Sequence, residues 1–420
     1  MITNVKKSSR KDFIWNLLGS VINTATTMIL LIVTTRIIGV NEAGIYAIAI
    51  ATAQMWMIVG NFGVRAYQVT DLTPRFKLCD YYTHRIITCT IMVVISIGHV
   101  LQNSYDENKA IIVVLICVWK MIDALADVFE GYMQQQGFLY KAGQALFVRS
   151  TVYCLMFIIT LIFTKNLMLA SCVGLIGAIF ILVVVNILPT IKMEKLIVSF
   201  HINNLFQITK VCLPLFASLF IMIYIVNAPK YAIDRCLSGE MQTYYNIIYT
   251  PAQVINLLSS FIFKPVLTTL AESWLNEDIH KYKILVSKLL LIICGLTIIT
   301  ILGAYLIGVP VLSFLYGVDI SEFKSLLIII LVGGGFNAVA YLLYYALTAI
   351  RIQNWILVCY IGTFLISIGL PSILVQQFEM LGAVMSYVIS MGVLSLTMFL
   401  LMYGFIKYTA RRGLNESTRI

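Results

Sequence analysis

The chain has 420 residues, of which 60% are hydrophobic and 11% charged, against roughly 45–50% and about 25% in an average soluble protein. So few charges cannot cover the surface of water-soluble domains. At about 20 apolar residues per membrane-spanning helix, the length accommodates twelve spans with short connections and leaves no room for a soluble catalytic domain. The 29 Lys and Arg against 19 Asp and Glu give a net charge of +10, which in a membrane chain reads as orientation, through cytoplasmic enrichment of Lys and Arg, rather than as a nucleic-acid partner.

Lys6, Lys7, Arg10 and Lys11 precede an apolar run from Phe13 to Thr35. That run exceeds the 7–15 residues of a cleaved signal-peptide core, so it is expected to be retained as the first span with its basic end inside. Further apolar runs predict spans near 43–64, 86–101, 111–133, 144–163, 168–188, 211–233, 244–266, 287–308, 325–349, 355–375 and 381–404. An even number of spans returns Lys407, Arg411, Arg412 and Arg419 to the inner side, where the connections around Arg65 to Arg85, Lys192 to Lys210 and Lys264 to Lys288 add further bases. The predicted fold class is therefore all-α and polytopic, with both termini cytoplasmic. Residues 1–188 are expected as a first six-helix lobe, 189–210 as an interlobe linker lying on the membrane or as an ordinary loop, 211–404 as a second lobe, and 405–420 as a tail.

The nine cysteines stand singly, without a CxxC pair, and imply neither a disulfide frame nor a metal site. No GxxxxGK[ST] or HExxH motif is present, so no ATP site or zinc-protease chemistry is expected, and no enzyme activity or cofactor. The triple Gly333, Gly334, Gly335 reads as a place for close helix packing.

An offset of 199 residues lays Arg36 over Arg235, Tyr46 over Tyr245, Phe62 over Phe261 and Arg65 over Lys264. Basic residues are scarce in this chain, so matched cations point to an internal duplication of two parallel halves, a common build among transporters.

Charged groups within spans are costly, about 2.5–3.5 kcal/mol each on insertion scales, and usually face a bundle interior or a water-filled cavity. The fourth span carries Lys120, Asp123, Asp127, Glu130 and Gln134 at spacings of 3, 4, 3 and 4, which confines them to one helix face. Lys120 and Asp123 can pair at i,i+3, and Glu130 is expected near the inner surface in contact with water. The seventh span has Tyr224, Asn227, Lys230 and Asp234 around Pro229, and proline there is expected to bend the helix. The eighth continues with Tyr245, Tyr249, Gln253, Asn256, Ser260 and Lys264, of which Tyr245, beside Tyr244, is expected to be an interfacial anchor. Asn16, Ser20, Asn23 and Thr27 share a face of the first span, where the Ser and Thr positions read as helix–helix glue.

The stretches "NLLGSVINTATTMILLIVTTRIIGVNEAGIYAIA", "IDALADVFEGYMQQQG" and "VNAPKYAID…YYNIIYTPAQVINLLSSFIFKPVLTTLAE" resemble bacterial polysaccharide flippases. These form a branch of the superfamily that also holds multidrug exporters and the lipid II flippase. The resemblance covers nearly the whole chain. It implies a bacterial plasma-membrane protein with two six-helix lobes in a V around a central cavity, working by alternating access. The implied cargo is undecaprenyl-diphosphate-linked oligosaccharide, with membrane lipids and other membrane proteins of polysaccharide assembly as further partners. For such an anionic cargo, Lys120, Lys230, Arg36, Arg235 and Lys264 are the candidate cations, and Asn227, Tyr249, Gln253 and Asn256 the candidate sugar contacts. Asp123, Asp127 and Asp234 are the candidates for coupling to a proton or sodium gradient. A multidrug/cation antiporter of the same fold is the alternative, and it predicts a more acidic cavity.

Overall fold

The computed structural model describes residues 10–70, 75–276, 278–350 and 352–417; at positions 70, 260–265, 267–269, 271, 353–354 and 408–417 it describes the backbone alone. Among the described residues the regular structure is entirely helical. The chain divides into two compact units, Met1–Ile223 and Tyr224–Ile420.

In the first unit, α1 (Arg10–Ile38), α2 (Val40–Asn61), the short α3 (Val64–Thr70), α4 (Leu78–Gln102), α5 (Glu107–Gln135), α6 (Leu139–Thr164) and α7 (Leu167–Ile181) pack as a bundle. A π turn at Leu182–Ile187 and the brief α8 (Leu188–Ile191) extend α7, and α9 (Ile202–Cys236) starts in this unit and ends in the second. The closest pairing is α1 on α6, where two glycines remove the side chains that would hold the backbones apart. A methyl group on Gly143 would lie 2.6 Å from the Asn16 nitrogen, and one on Gly19 would lie 2.6 Å from the Gly143 carbonyl oxygen. At the entry to α6, Asp12 Oδ1 accepts the Tyr140 N–H at 2.9 Å, a carboxylate capping the positive end of a neighbouring helix. Asn23 joins the same two helices by accepting from Ser150 at 3.3 Å.

The second unit holds the end of α9, then α10 (Gly239–Leu275), α11 (Ile279–Gly303), α12 (Val309–Tyr316) after a π turn at Ala304–Gly308, α13 (Lys324–Ala349) and α14 (Gln353–Ser417). The three glycines of α13 each admit a different neighbour: Gly333 faces the Tyr387 ring of α14, Gly334 faces Ala252 of α10, and Gly335 faces Thr297 of α11. Successive residues of a helix point about 100° apart, so one level of α13 seats three helices.

Nine helices among the described residues are long and apolar enough to cross a membrane. α5 and α10, at 29 and 37 residues, are also long enough, and α5 falls outside the apolar set because of its charged stripe. The 65 residues of α14 would reach roughly 100 Å as one rod, three times the hydrocarbon core. The rod is instead folded back at Glu379, whose φ of 50° and ψ of −126° are non-helical. Ser367 Oγ donates to Ser390 Oγ at 3.1 Å and Gly382 lies against the Leu374 carbonyl, as in two antiparallel arms. Twelve spans are thus accommodated, and the arms match the sequence spans 355–375 and 381–404.

The helices continue without interruption through Pro229 and Pro251. Residues 195–201 of the interlobe connection carry no regular structure and are tied to α4 through Ser199 N–H, which donates to Thr83 Oγ1 at 2.9 Å. The helix of the last span continues to Ser417 through the segment read as a tail.

Candidate functional site

The polar stripe of α5 is the spine of a buried ion-pair ladder in the first unit. Asp123 lies between Lys120 Nζ at 2.8 Å and Arg149 Nε at 3.0 Å. Asp127 lies between Arg65 at 2.9 Å and Arg85 at 3.0 Å. Glu130 lies between Arg149 at 2.7 Å and Arg65 at 3.1 Å. Each carboxylate therefore bridges two cations from different helices, the arrangement in which buried charges can recover their desolvation cost. Gln134 extends the ladder by accepting from Arg65 Nη2 at 3.3 Å.

Glu130 is a correction to the sequence reading. With 2% of its surface exposed it is a buried joint, not a solvated interfacial residue. Arg65 and Arg85, taken from sequence as inner-side bases, are likewise ladder members, and Arg149 is a third. The signal that could have found Arg85 was the sixteen-residue span 86–101, too short for a bilayer until the helix is extended back through Arg85.

A break between α2 and α3 aims Arg65. Phe62 (φ 47°) and Gly63 (φ 67°) adopt left-handed backbone, which stops α2 and frees its last carbonyls. One of these, Gly60 C=O, accepts from Arg85 Nη1 and from Thr88 Oγ1, each at 2.8 Å. The break thus supplies part of the polar cradle for Arg85 at the negative end of α2. A π turn carries Asn186, whose Oδ1 accepts from Arg149 at 3.3 Å. Beside the ladder, Asn61, Gly63, Arg65, Asp127 and Gln134 line an open cleft of about 420 Å³ within this unit. Lys120 is set apart from that cleft: it lies against the Tyr153 ring, 5.8 Å from its centroid, beside a void of about 10 Å³.

The second unit assembles a different cluster. Lys230, 6% exposed, forms no ion pair with any described residue and places Nζ 5.0 Å from the centroid of the Tyr249 ring, a cation–π arrangement. Tyr249 stacks on Tyr245 at 6.1 Å and meets Tyr387 edge-on at 5.3 Å. Asn227, one turn before Lys230, is also buried. Tyr245 is fully buried, which corrects its reading as an interfacial anchor: α10 begins at Gly239, so this residue lies well inside the helix. Sequence reasoning also missed Gln242 and Asn246, both buried in this unit.

The other candidates lie elsewhere. Arg36 and Arg235 are exposed in the last turns of α1 and α9. Asp234 and Gln253 are half-buried, and Asn256 donates to the Ala252 carbonyl of its own helix at 2.9 Å. The Lys264 side chain lies outside the described residues. Helix starts repeat at the offset that relates the cations: α2 begins at Val40 and α10 at Gly239.

No family model matches the chain, and no curated protein matches it in sequence. Solved structures do. An inward-facing multidrug resistance MATE family transporter of the MOP superfamily is similar at a TM-score of 0.75 and 12% identity, over 94% of this chain and 99% of that one. The Vibrio cholerae MATE transporter VcmN follows at 0.64 and 12%, over 95% and 97%. A MOP superfamily transporter from Pyrococcus furiosus, described as having a binding pocket of reverse polarity, is similar at 0.59 and 15%, over 94% and 95%. The fold is that of the MATE transporters. At these identities the likeness establishes architecture, and the polysaccharide branch is not singled out among the neighbours.

Proposed function

We propose that the chain is a multi-pass secondary transporter whose cargo is an anionic amphiphile, of the class of a lipid-linked diphosphate oligosaccharide. The observation that carries this reading is the charge of the buried ladder. Arg65, Arg85, Lys120 and Arg149 outnumber Asp123, Asp127 and Glu130, and Arg65 reaches an open cleft beside amide groups suited to phosphate and sugar. In the second unit Lys230 adds a buried cation with no carboxylate paired to it among the described residues. Export of cationic drugs is the second reading. It is favoured by the inward-facing neighbour, which is described as a multidrug resistance transporter, and the comparisons support it more directly than lipid flipping.

Movement against a gradient would draw on protons or sodium. For either ion to reach Asp123 or Asp127 it must displace an Arg or Lys, so coupling there requires the ladder to open. Asp234, at the end of α9, is the remaining carboxylate candidate. The bacterial plasma membrane and cytoplasmic termini are part of the same proposal.

Purified protein in vesicles separates the two cargoes. A fluorescent undecaprenyl-diphosphate sugar should become accessible to quencher in the opposite leaflet, Arg65→Gln should slow this at least about tenfold, the loss of one charge-assisted hydrogen-bonding group, and ethidium should not be moved. Ethidium efflux without lipid movement would assign the chain to drug export.

A further inference from the structure

At the end of the first unit where α4 and α9 begin, the two helices run side by side in the same direction. Asn204 Nδ2 donates to Asp80 Oδ2 at 3.1 Å, His84 Nε2 lies 3.0 Å from Thr209 Oγ1, and Arg75 Nη2 donates to Gln207 at 2.9 Å. Two helix N-termini, each with its partial positive charge, therefore lie at one level. Between them opens a cleft of about 590 Å³ lined by Arg75, Lys77, Asp80, Phe200, His201 and the start of α9.

Among the described lining residues Asp80 is the one acid, and its oxygens are already engaged. Oδ2 accepts from the Lys77 N–H at 3.2 Å and from Asn204, and Oδ1 lies 3.3 Å from His201 Nδ1. Its carboxylate holds the connection to α4, while the exposed Arg75 and Lys77 leave the cleft mouth basic. The flank is apolar: Phe200, Ile202 and Phe206 are 71%, 76% and 68% exposed. Both α4 and α9 enter their membrane-crossing stretches here, so basic groups at headgroup depth adjoin large apolar side chains at the edge of the hydrocarbon.

We propose that this cleft binds the headgroup of an anionic phospholipid, such as phosphatidylglycerol, from the leaflet at which α4 and α9 begin. The phosphate would sit by Arg75 and Lys77, and the acyl chains would cover Phe200, Ile202 and Phe206. A free phosphate satisfies the charge but leaves that apolar flank uncovered, which is why a lipid is the better complement. The site is independent of the cargo, since none of its residues belongs to the ladder or to the Lys230 cluster.

Native mass spectrometry of the full chain in detergent, titrated with phosphatidylglycerol, phosphatidylcholine or inorganic phosphate, tests this. Phosphatidylglycerol should bind saturably and phosphatidylcholine should not. Lys77→Gln should weaken binding about fivefold, and the double change with Arg75→Gln about twentyfold, as expected for surface bases on anionic lipid. Lys109→Gln, a base at the opposite end of α4 and α5, should leave affinity unchanged. Lys77 is exposed, so its single variant reports even if the double variant folds poorly. Equal affinity for the two lipids, displacement of phosphatidylglycerol by millimolar inorganic phosphate, or parental affinity in Lys77→Gln would each overturn the proposal.

Discussion

The two units bury polarity in opposite ways. The first packs Arg65, Arg85, Lys120 and Arg149 against Asp123, Asp127 and Glu130, so that every carboxylate of the ladder is shared by two cations. The second buries Lys230 against Tyr249, with Tyr245 and Tyr387 completing an aromatic wall. The corresponding helices differ to match: α2 stops at Asn61 and restarts as α3, while α10 continues from Gly239 to Leu275. A broken helix offers free carbonyls to guanidinium groups, and a continuous one offers only side chains. An interrupted helix thus accompanies the ionic interior of the first unit, and a continuous one the aromatic interior of the second.

The largest expected effect breaks the ladder. Arg149→Met strips a cation from both Asp123 and Glu130 and should cost about 3–5 kcal/mol, the price of stranding buried charge. Thermal unfolding in detergent checks it. Lys230→Met is the matched experiment in the second unit, and there the melting temperature should hold or rise, because no described carboxylate is left without its partner. Destabilisation of both variants to the same degree would erase the distinction between the units.

Packing gives the next effect. Gly143→Leu forces a side chain into the α1 backbone and should destabilise the first unit by about 1–3 kcal/mol, with Gly334→Leu doing the same against Ala252 in the second. Hydrogen exchange on each unit should show loosening confined to the one that carries the change.

The smallest effect lies outside the membrane. The Ser321 N–H donates to the Asp319 carboxylate at 2.9 Å and holds it below the usual carboxylate range. A carboxyl depressed in the folded state helps above its unfolded pKa, and that help fades as pH falls through the folded value. Asp319→Asn should therefore leave the melting temperature at pH 7 within a degree, as this loop carboxylate is exposed and screened.

The stripe on α5 was legible in the sequence because five polar residues at helical spacing in an apolar chain can only share a face. Its partners were not. Arg65, Arg85 and Arg149 come from three other helices, and a base near the end of an apolar run looks the same whether it meets water or a buried carboxylate. The span pattern was readable from bilayer length alone, including both arms of α14. The reversal between those arms was bracketed to residues 376–380, but the one residue that leaves the helical region, Glu379, was not, since no glycine or proline marks it. Tyr249 could be named from its stripe, whereas Tyr387 lies on a distant span and carried no periodic signal.

The three glycines of α13 have a consequence for how variation in this chain is interpreted. Because Gly333, Gly334 and Gly335 face Tyr387, Ala252 and Thr297, neighbouring codons report on three separate joints of the second unit. Substitutions one residue apart should therefore answer to different second-site suppressors: a compensating smaller residue at 387 would rescue a change at 333 and do nothing for one at 334. Adjacency along the chain is, at this level of α13, a poor guide to shared effect.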